Sequence, residues 1–199
     1  MAGKLIRGRR MVLRPGVGEE EVAAFAAGLG YPRRADSPAD EESGTPRQII
    51  WHAENSPVVT YREDVTSGLP YVIVMAYSSA DLREVTELAE LVLHTWTLPD
   101  LLQAVDSTND PEELGDALLQ MGLGAPREFD EEFFSRVREG LLDGREDVVE
   151  AALVALTYEP WGEYVDPVNE LLETAPGGYI EETATAILDR FREVGDDEE

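Results

Sequence analysis

Hydrophobic residues follow two different patterns along the chain, and the change falls near residue 79. Before it, apolar residues form short runs bounded by turn residues, at positions 48–52, 58–62 and 71–77. The run 71–77 is apolar at every position, which is typical of a strand buried on both faces. After residue 79, apolar positions recur with the helical period of about 3.6. The pattern therefore predicts an α+β module over residues 1–79 and an all-α domain over residues 80–199.

The first module is predicted to hold a small antiparallel sheet and one helix. Residues 10–14 predict a short strand, and residues 17–29 predict a helix whose acidic first turn suits the positive end of the helix dipole. Residues 31–46 are rich in Pro, Ser, Asp and Gly without periodicity, so we expect an exposed, mobile loop. We expect the strand 71–77 to be central in this sheet, with the first helix packed on the sheet.

The second domain is predicted to consist of helices joined by short connections. Asp110 followed by Pro111 marks a helix start, because Asp caps free backbone amides and Pro suits the first helical position. The acidic residues 195–199 predict a frayed tail. The predicted helices span residues 80–95, 97–105, 110–121, 130–142, 146–158, 166–174 and 179–194.

The later helices repeat in pairs. Leu141-Leu142 matches Leu171-Leu172 at a shift of 30 residues. In the helices that follow, the buried-type positions match at a shift of 32: Val148, Ala152 and Leu156 with Ile180, Ala184 and Leu188. The segment 109–119, with its Asp-Pro helix start and its Ala-Leu-Leu core, has the same skeleton.

These residues make the stretch of about 97–194 similar to the HEAT-repeat family of helical solenoids. The resemblance implies stacked helix pairs, in which helix 146–158 is buried on more than one side and helix 179–194 closes the array. The chain has Gly115 or Glu150 where the family has an Arg in the second helix. A plain α-helical bundle is the alternative architecture.

The resemblance also implies a binding surface. Second helices line the concave face of HEAT-like arrays, so a stripe of carboxylates is expected along one side of this array. Such a stripe would attract a Lys/Arg-rich protein surface. The residues are Glu113, Asp116, Asp147, Glu150, Glu182 and Asp189. A second interpretation stays open, in which the acidic residues only keep the protein dispersed.

Charge divides the chain at the same place as periodicity. Residues 1–79 carry nine basic and ten acidic residues, whereas residues 80–199 carry seven basic and 32 acidic ones. Nearly all of the net charge of −26 therefore lies in the second part. This acidity disfavours nucleic acid and anionic lipid as partners, because both need a basic surface. No apolar run approaches the roughly 20 residues of a membrane span, and we expect a cytoplasmic protein.

The candidate chemistry is sparse. The chain has no cysteine, which excludes disulfides and thiolate metal sites. On the helix 80–95, His94 lies four residues after Glu90 and seven after Glu87, but zinc motifs place two His on such a face, so a solvated polar face is the preferred interpretation. No phosphate loop, nucleophile motif or calcium loop is present, and we expect neither a metal nor a cofactor.

Two functional hypotheses follow. The first is a non-enzymatic scaffold, inhibitor or immunity-type protein that binds a protein partner through the acidic helices. In the more specific form of this hypothesis, the partner has a basic surface. The second is an enzyme or ligand-binding domain with its site between the N-terminal sheet and helix 80–95. Its candidate residues are Tyr61, Tyr71, Tyr77 and His94.

Overall fold

The computed structural model describes residues 4–40, 44–174 and 177–196. The chain forms two compact units, Met1–Thr97 and Leu98–Glu199. The predicted order of an α+β part followed by helices is confirmed. The division falls between Thr97 and Leu98 and not between residues 79 and 80, where periodicity and charge change.

The first unit is built on an antiparallel sheet. Its strands are β1 (Ile6–Arg7), β2 (Met11–Val12), β3 (Arg33–Ser37), β4 (Gln48–Trp51), β5 (Val58–Glu63) and β6 (Pro70–Ala76). Within the described ranges the sheet has the strand order β1-β6-β5-β4-β3, and β2 pairs with the same side of β6 as β1 does. The three strands predicted from apolar runs are present as β4, β5 and β6.

Two helices, α1 (Glu19–Gly28) and α2 (Ser79–Val92), share one hydrophobic core with the sheet. Helix α2 packs on β6 and β1, and α1 contacts β5, so both helices pack on the sheet, as predicted for the first helix. Val85 and Ala89 of α2 are buried in the same core as Val22 and Phe25 of α1. Because α2 buries its apolar side on the sheet, it belongs to the first unit and the division comes after it.

Strand β3 lies where the sequence predicts a mobile loop. It pairs antiparallel with β4 and forms an edge of the sheet. Its side chains are nearly all exposed, so it carries no apolar pattern that could have marked it as a strand. The rest of the predicted loop contains a bridge between Asp40 and Thr45, and residues 41–43 lie outside the described residues.

The basic N-terminal segment is bound within the first unit. Arg9 donates to Glu90 of α2, with 2.7 Å between Nη2 and Oε1. The Arg14 guanidinium lies over the ring of Trp96, 4.4 Å from its centroid, in a cation–π contact. The Trp96 backbone amide donates to the Val12 carbonyl at 2.8 Å, which ties the segment after α2 to the start of the sheet.

The second unit is helical, and its helices lie close to the predicted positions. A 3-10 turn at Gly162–Tyr164 was not predicted. The predicted frayed tail begins inside α8, and residues 197–199 lie outside the described part. The helices are α3 (Leu98–Asp106), α4 (Pro111–Leu123), α5 (Glu131–Leu141), α6 (Glu146–Tyr158), α7 (Val165–Thr174) and α8 (Tyr179–Asp196).

These helices form three antiparallel hairpins, α3/α4, α5/α6 and α7/α8. The first helices contact one another in sequence, α3 with α5 and α5 with α7. The second helices do the same, α4 with α6 and α6 with α8, and α4 and α6 make the most extensive contact of the unit. Helix α6 also packs on α5, so it has neighbours on three sides, and seven of its residues are buried as its apolar sequence predicts.

Small residues allow α4 and α6 to approach closely. A Cβ atom at Gly115 would lie 3.5 Å from the Cβ of Ala151, and one at Gly122 would lie 2.7 Å from atoms of Ala155. Residue numbers rise together along the contact, so the two helices run in the same direction.

Candidate binding surfaces

The six carboxylates predicted from the sequence lie on the second helices of the three hairpins. Helix α4 carries the first two, α6 the next two and α8 the last two. Five are exposed and Glu150 is half-buried. The residues are Glu113, Asp116, Asp147, Glu150, Glu182 and Asp189.

The pairs on α4 and α6 come from neighbouring stretches of the two helices. A Cβ atom at Gly115 would lie 3.9 Å from the Asp147 carbonyl oxygen, so the first two turns of α4 and of α6 lie side by side. This places Asp116 and Asp147 in the same region of the unit. Neither α4 nor α6 contains a Lys or Arg.

Local hydrogen bonds fix the start of α4. The Asp110 carboxylate accepts from the amides of Glu112 and Glu113 at 3.1 and 3.2 Å, which confirms the predicted helix cap. The Thr108 hydroxyl donates to the Glu113 carboxylate at 2.7 Å. Glu113 is therefore held within its own loop and helix start.

The other carboxylates differ in whether they have a partner. Asp189 on α8 pairs with Arg192 at 2.8 Å. Asp116, Asp147, Glu150 and Glu182 make no ion pair and accept no side-chain hydrogen bond among the described residues. Uncompensated carboxylates repel one another and attract cations, so these four are the ones available to a partner.

The last pair lines a shallow depression on α8. Glu182 and Asp189 form its walls together with Glu181 and Thr185, and the space measures about 480 Å³.

Charges on the first helices are arranged differently. Arg136 of α5 donates to both carboxylate oxygens of Asp106 in α3, and Arg138 of α5 donates to Glu170 of α7 at 3.4 Å. Each of these bonds joins consecutive hairpins.

The loops within the first two hairpins are also linked. Arg145, which precedes α6, donates to the Asn109 carbonyl at 2.7 Å and to Asp143 at 2.8 Å. Its hydrogen bond to the Asp143 carboxylate lowers the pKa of that group. Polar contacts between hairpins are thus made by the first helices and the loops.

A groove lies beside the α5/α6 loop, which we call the hairpin groove. Its apolar walls come from the end of α5, the start of α6, the end of α7 and the start of α8: Leu141, Leu142, Val149, Leu171 and Ile180. Its polar walls include Asp143, Glu146 and Glu170. The volume is about 570 Å³. Leu141 and Leu171 were recognised in the sequence as repeat positions, and no signal there pointed to a groove.

An aromatic cluster forms at the opposite ends of α5 and α6. Trp161 stacks on Tyr164 with 5.6 Å between ring centroids, and Phe129 and Phe134 lie within 5.6 Å of their nearest ring neighbours. Burial raises the pKa of Tyr164 above its usual range. The sequence carried no signal for this cluster, because its members come from two separate loops and a helix start. Its rings contact one another, and it holds the α4/α5 connection against the α6/α7 connection.

The residues of the alternative site in the first unit are not brought together. Tyr61 pairs in register with Val72, so Tyr61 and Tyr71 point to opposite faces of the sheet. Tyr61 and Tyr71 are buried, whereas Tyr77 is 53% exposed. Burial and a hydrogen bond to Glu63 raise the pKa of Tyr61. His94 follows the end of α2 with a positive φ of 47°, so it is not on the helix face where it was predicted.

The acidic and histidine residues of the described ranges form no metal centre. Glu90, which the sequence placed near His94, pairs with Arg9. No group of three His, Asp or Glu side chains in the described ranges is arranged to hold a metal ion. None of the described helices is long and apolar enough to cross a membrane.

Comparison with known proteins adds no assignment. The chain matches no family model, no curated protein and no solved structure. The surfaces described above are therefore interpreted from their own chemistry.

Proposed function

We propose that this protein is a non-enzymatic interaction protein whose helical unit is a HEAT-like array. Its acidic second helices bind a protein partner with a basic surface. The binding residues are the carboxylates of α4, α6 and α8, with Asp116, Asp147, Glu150 and Glu182 contributing most.

The contacts between helices support the array. In a two-layer stack, first helices contact first helices and second helices contact second helices, which is the order seen from α3 to α8. The parallel course of α4 and α6 agrees with it. The Arg136–Asp106 and Arg138–Glu170 bonds take the place of the inter-repeat bonding that the missing Arg of the second helix would supply.

The observation that carries the binding proposal is the surface of α4 and α6, which has unpaired carboxylates and no basic residue. Arginines on the first helices have carboxylate partners in the neighbouring hairpin. On the second helices, Asp116, Asp147 and Glu150 have none in the described chain, and no basic residue lies on α4 or α6. Unpaired carboxylates without basic neighbours on the same helices are complementary to a cationic partner.

A sharper form of the proposal is an inhibitor of immunity type. Such a protein covers a cationic toxin, for example a nuclease, by presenting carboxylates where the toxin binds phosphates. This form predicts tight association that weakens as salt is raised, because exposed charge pairs are screened.

The test is affinity capture from the source cell with the whole protein as bait. The bait is compared with a variant that carries Asp116→Asn, Asp147→Asn, Glu150→Gln and Glu182→Gln. We expect one basic protein in the wild-type eluate, released by high salt and absent from the eluate of the variant. Direct titration of that protein should then show a loss of affinity of about 100-fold for the variant, from several charge pairs of about 0.2–1 kcal/mol each.

A matched control removes four exposed carboxylates elsewhere in the helical unit: Glu128→Gln, Glu139→Gln, Glu163→Gln and Glu173→Gln. It has the same net charge as the binding variant. Equal loss of capture with both variants would indicate attraction by net charge alone and would contradict a specific surface.

A further inference from the structure

We propose that the hairpin groove binds an apolar anchor side chain of the partner, carried on a segment that is rich in Arg or Lys. This inference rests on the proposed function, and it adds a second contact that is chemically different from the carboxylate surface of the second helices.

The apolar wall of the groove is suited to an anchor residue. Val149, Leu171 and Ile180 are each at most 5% exposed and are held by the core of the unit. Leu142, at the edge, is 40% exposed although it is a large hydrophobic residue. The volume of about 570 Å³ is in the range of sites that bury a whole ligand group. An apolar side chain placed there would cover Leu142 and remove apolar surface from water.

The polar wall determines the charge of the occupant. Asp143, Glu146 and Glu170 line the groove, and no Lys or Arg lines it. Asp143 is bound to Arg145, and Glu170 has only an exposed pair with Arg138 at 3.4 Å. Glu146 makes no ion pair with any described residue. An exposed pair is weak, so both Glu146 and Glu170 can accept a partner's cation.

The apolar and the acidic walls together determine which partner segment fits the groove. Two carboxylates, Glu146 from α6 and Glu170 from α7, line the groove together with its apolar residues. A segment that combines an apolar anchor with basic residues is complementary to both kinds of wall. An anionic ligand is repelled by the same groups.

The probe is a short fluorescent peptide with a central Trp flanked by Leu and Arg residues. A charge-matched peptide has Ser in place of Trp and Leu. With the whole protein at physiological salt, we expect the first peptide to bind about tenfold more tightly, because burial of one large apolar side chain contributes that much. A photoreactive group at the Trp position should crosslink to peptides that contain Leu142 or Leu171.

Three variants locate the site. Leu142→Ser should weaken binding of the Trp peptide about fivefold, and Glu146→Gln should weaken it about threefold, in line with loss of part of an apolar contact and of one exposed charge pair. Glu173→Gln, exposed on α7 outside the groove, should leave it unchanged. Equal affinity for the two peptides, or equal effects of Glu146→Gln and Glu173→Gln, would overturn the inference.

The same titrations separate this inference from the proposed function. A variant with Asp116→Asn, Asp147→Asn and Glu150→Gln should weaken both peptides to the same extent if they are drawn to the second helices. If that variant weakens binding of both peptides and Leu142→Ser has no effect, the groove is not the binding site, and the acidic surface remains supported. If Leu142→Ser weakens binding of the Trp peptide and that variant has no effect, the groove is supported and the acidic surface is contradicted.

Discussion

Arg136 donates hydrogen bonds to both carboxylate oxygens of Asp106, with Nε 3.0 Å from Oδ1 and Nη2 2.7 Å from Oδ2, and so joins α5 to α3. The hydrogen bond holds the pKa of Asp106 below its usual value and raises that of Arg136. Bidentate geometry fixes the angle between the two side chains as well as their distance. The bond therefore links the first helices of the first two hairpins in a defined geometry.

Replacement of this carboxylate should weaken the helical unit in a pH-dependent way. A lowered pKa in the folded state means that the pair stabilises the fold above the ordinary Asp pKa of about 3.9 and loses its effect as pH falls through the lowered pKa. Because Asp106 is half exposed, we expect Asp106→Asn to cost only about 0.5–1 kcal/mol at neutral pH. Urea unfolding followed by circular dichroism should show the difference from wild type vanish in strong acid. Glu139→Gln, on the same helix as Arg136, should cost less, and a pH-independent loss for Asp106→Asn would contradict the argument.

The contact between α4 and α6 should not tolerate a methyl group at Gly122. A Cβ atom there would lie 2.7 Å from backbone atoms of Ala155, which cannot move aside as a flexible side chain can. We expect Gly122→Ala to lower the free energy of unfolding by about 1–3 kcal/mol through overpacking, despite the better helix propensity of Ala. Gly162→Ala, where a Cβ meets nothing within 4 Å, is the control and should change stability little. Equal stabilities of the two variants would show that the helices can separate at no cost.

Unpaired carboxylates on the second helices should lower the stability of the free protein. Asp116 and Glu150 lie beyond the first turns of α4 and α6, so their neutralisation does not remove a favourable interaction with a helix dipole. We expect Asp116→Asn with Glu150→Gln to raise the free energy of unfolding by about 0.3–1 kcal/mol at low salt, with the gain shrinking as salt screens the repulsion. Thermal unfolding at two salt concentrations measures this. A loss of stability would mean that these carboxylates have stabilising partners in the folded protein.

Tyr164 should make the helical unit sensitive to alkali. Burial raises its pKa in the folded state, so its contribution to stability is complete below the ordinary Tyr pKa of about 10 and is lost as pH rises above that value. Tyr164→Phe keeps the ring stacked on Trp161 and removes the ionisable group, so we expect a smaller loss of stability between neutral and alkaline pH. Stability measured across this range by urea unfolding tests it. Tyr179→Phe, at a side chain 60% exposed, should leave the alkaline loss unchanged, and an unchanged slope for Tyr164→Phe would contradict the assignment.

The elements that bury apolar side chains were predictable from the sequence, whereas β3, whose side chains are polar and exposed, was not. The sequence placed β4, β5, β6 and all helices of the second unit within a few residues, because each buries a continuous apolar side. Strand β3 was missed because its stability comes from hydrogen bonds to β4, and its side chains are polar and exposed. The division between the units was predicted 18 residues too early, because composition changes where α2 begins whereas its buried face belongs to the sheet.

The candidate surfaces were predictable only in part. The sequence identified which carboxylates lie on second helices, since this depends on helical order alone. It could not tell which were paired, because Glu113 is bound by Thr108 and Asp189 by Arg192 through local geometry. The hairpin groove combines residues from four helices, and no sequence spacing reports the space between them.

The exposed edge strand β3 has a consequence for how the protein behaves in crowded solution. Free sheet edges invite other chains to add a strand, and this is a common route to aggregation. Here Arg33, Arg34 and Asp36 lie along the edge, and Arg33 is held by Glu19 and Asp36. A strand added at this edge would break these contacts and place its backbone next to three charged side chains. The first unit therefore resists templated polymerisation at this edge, and recruitment of a partner by strand addition is costly there.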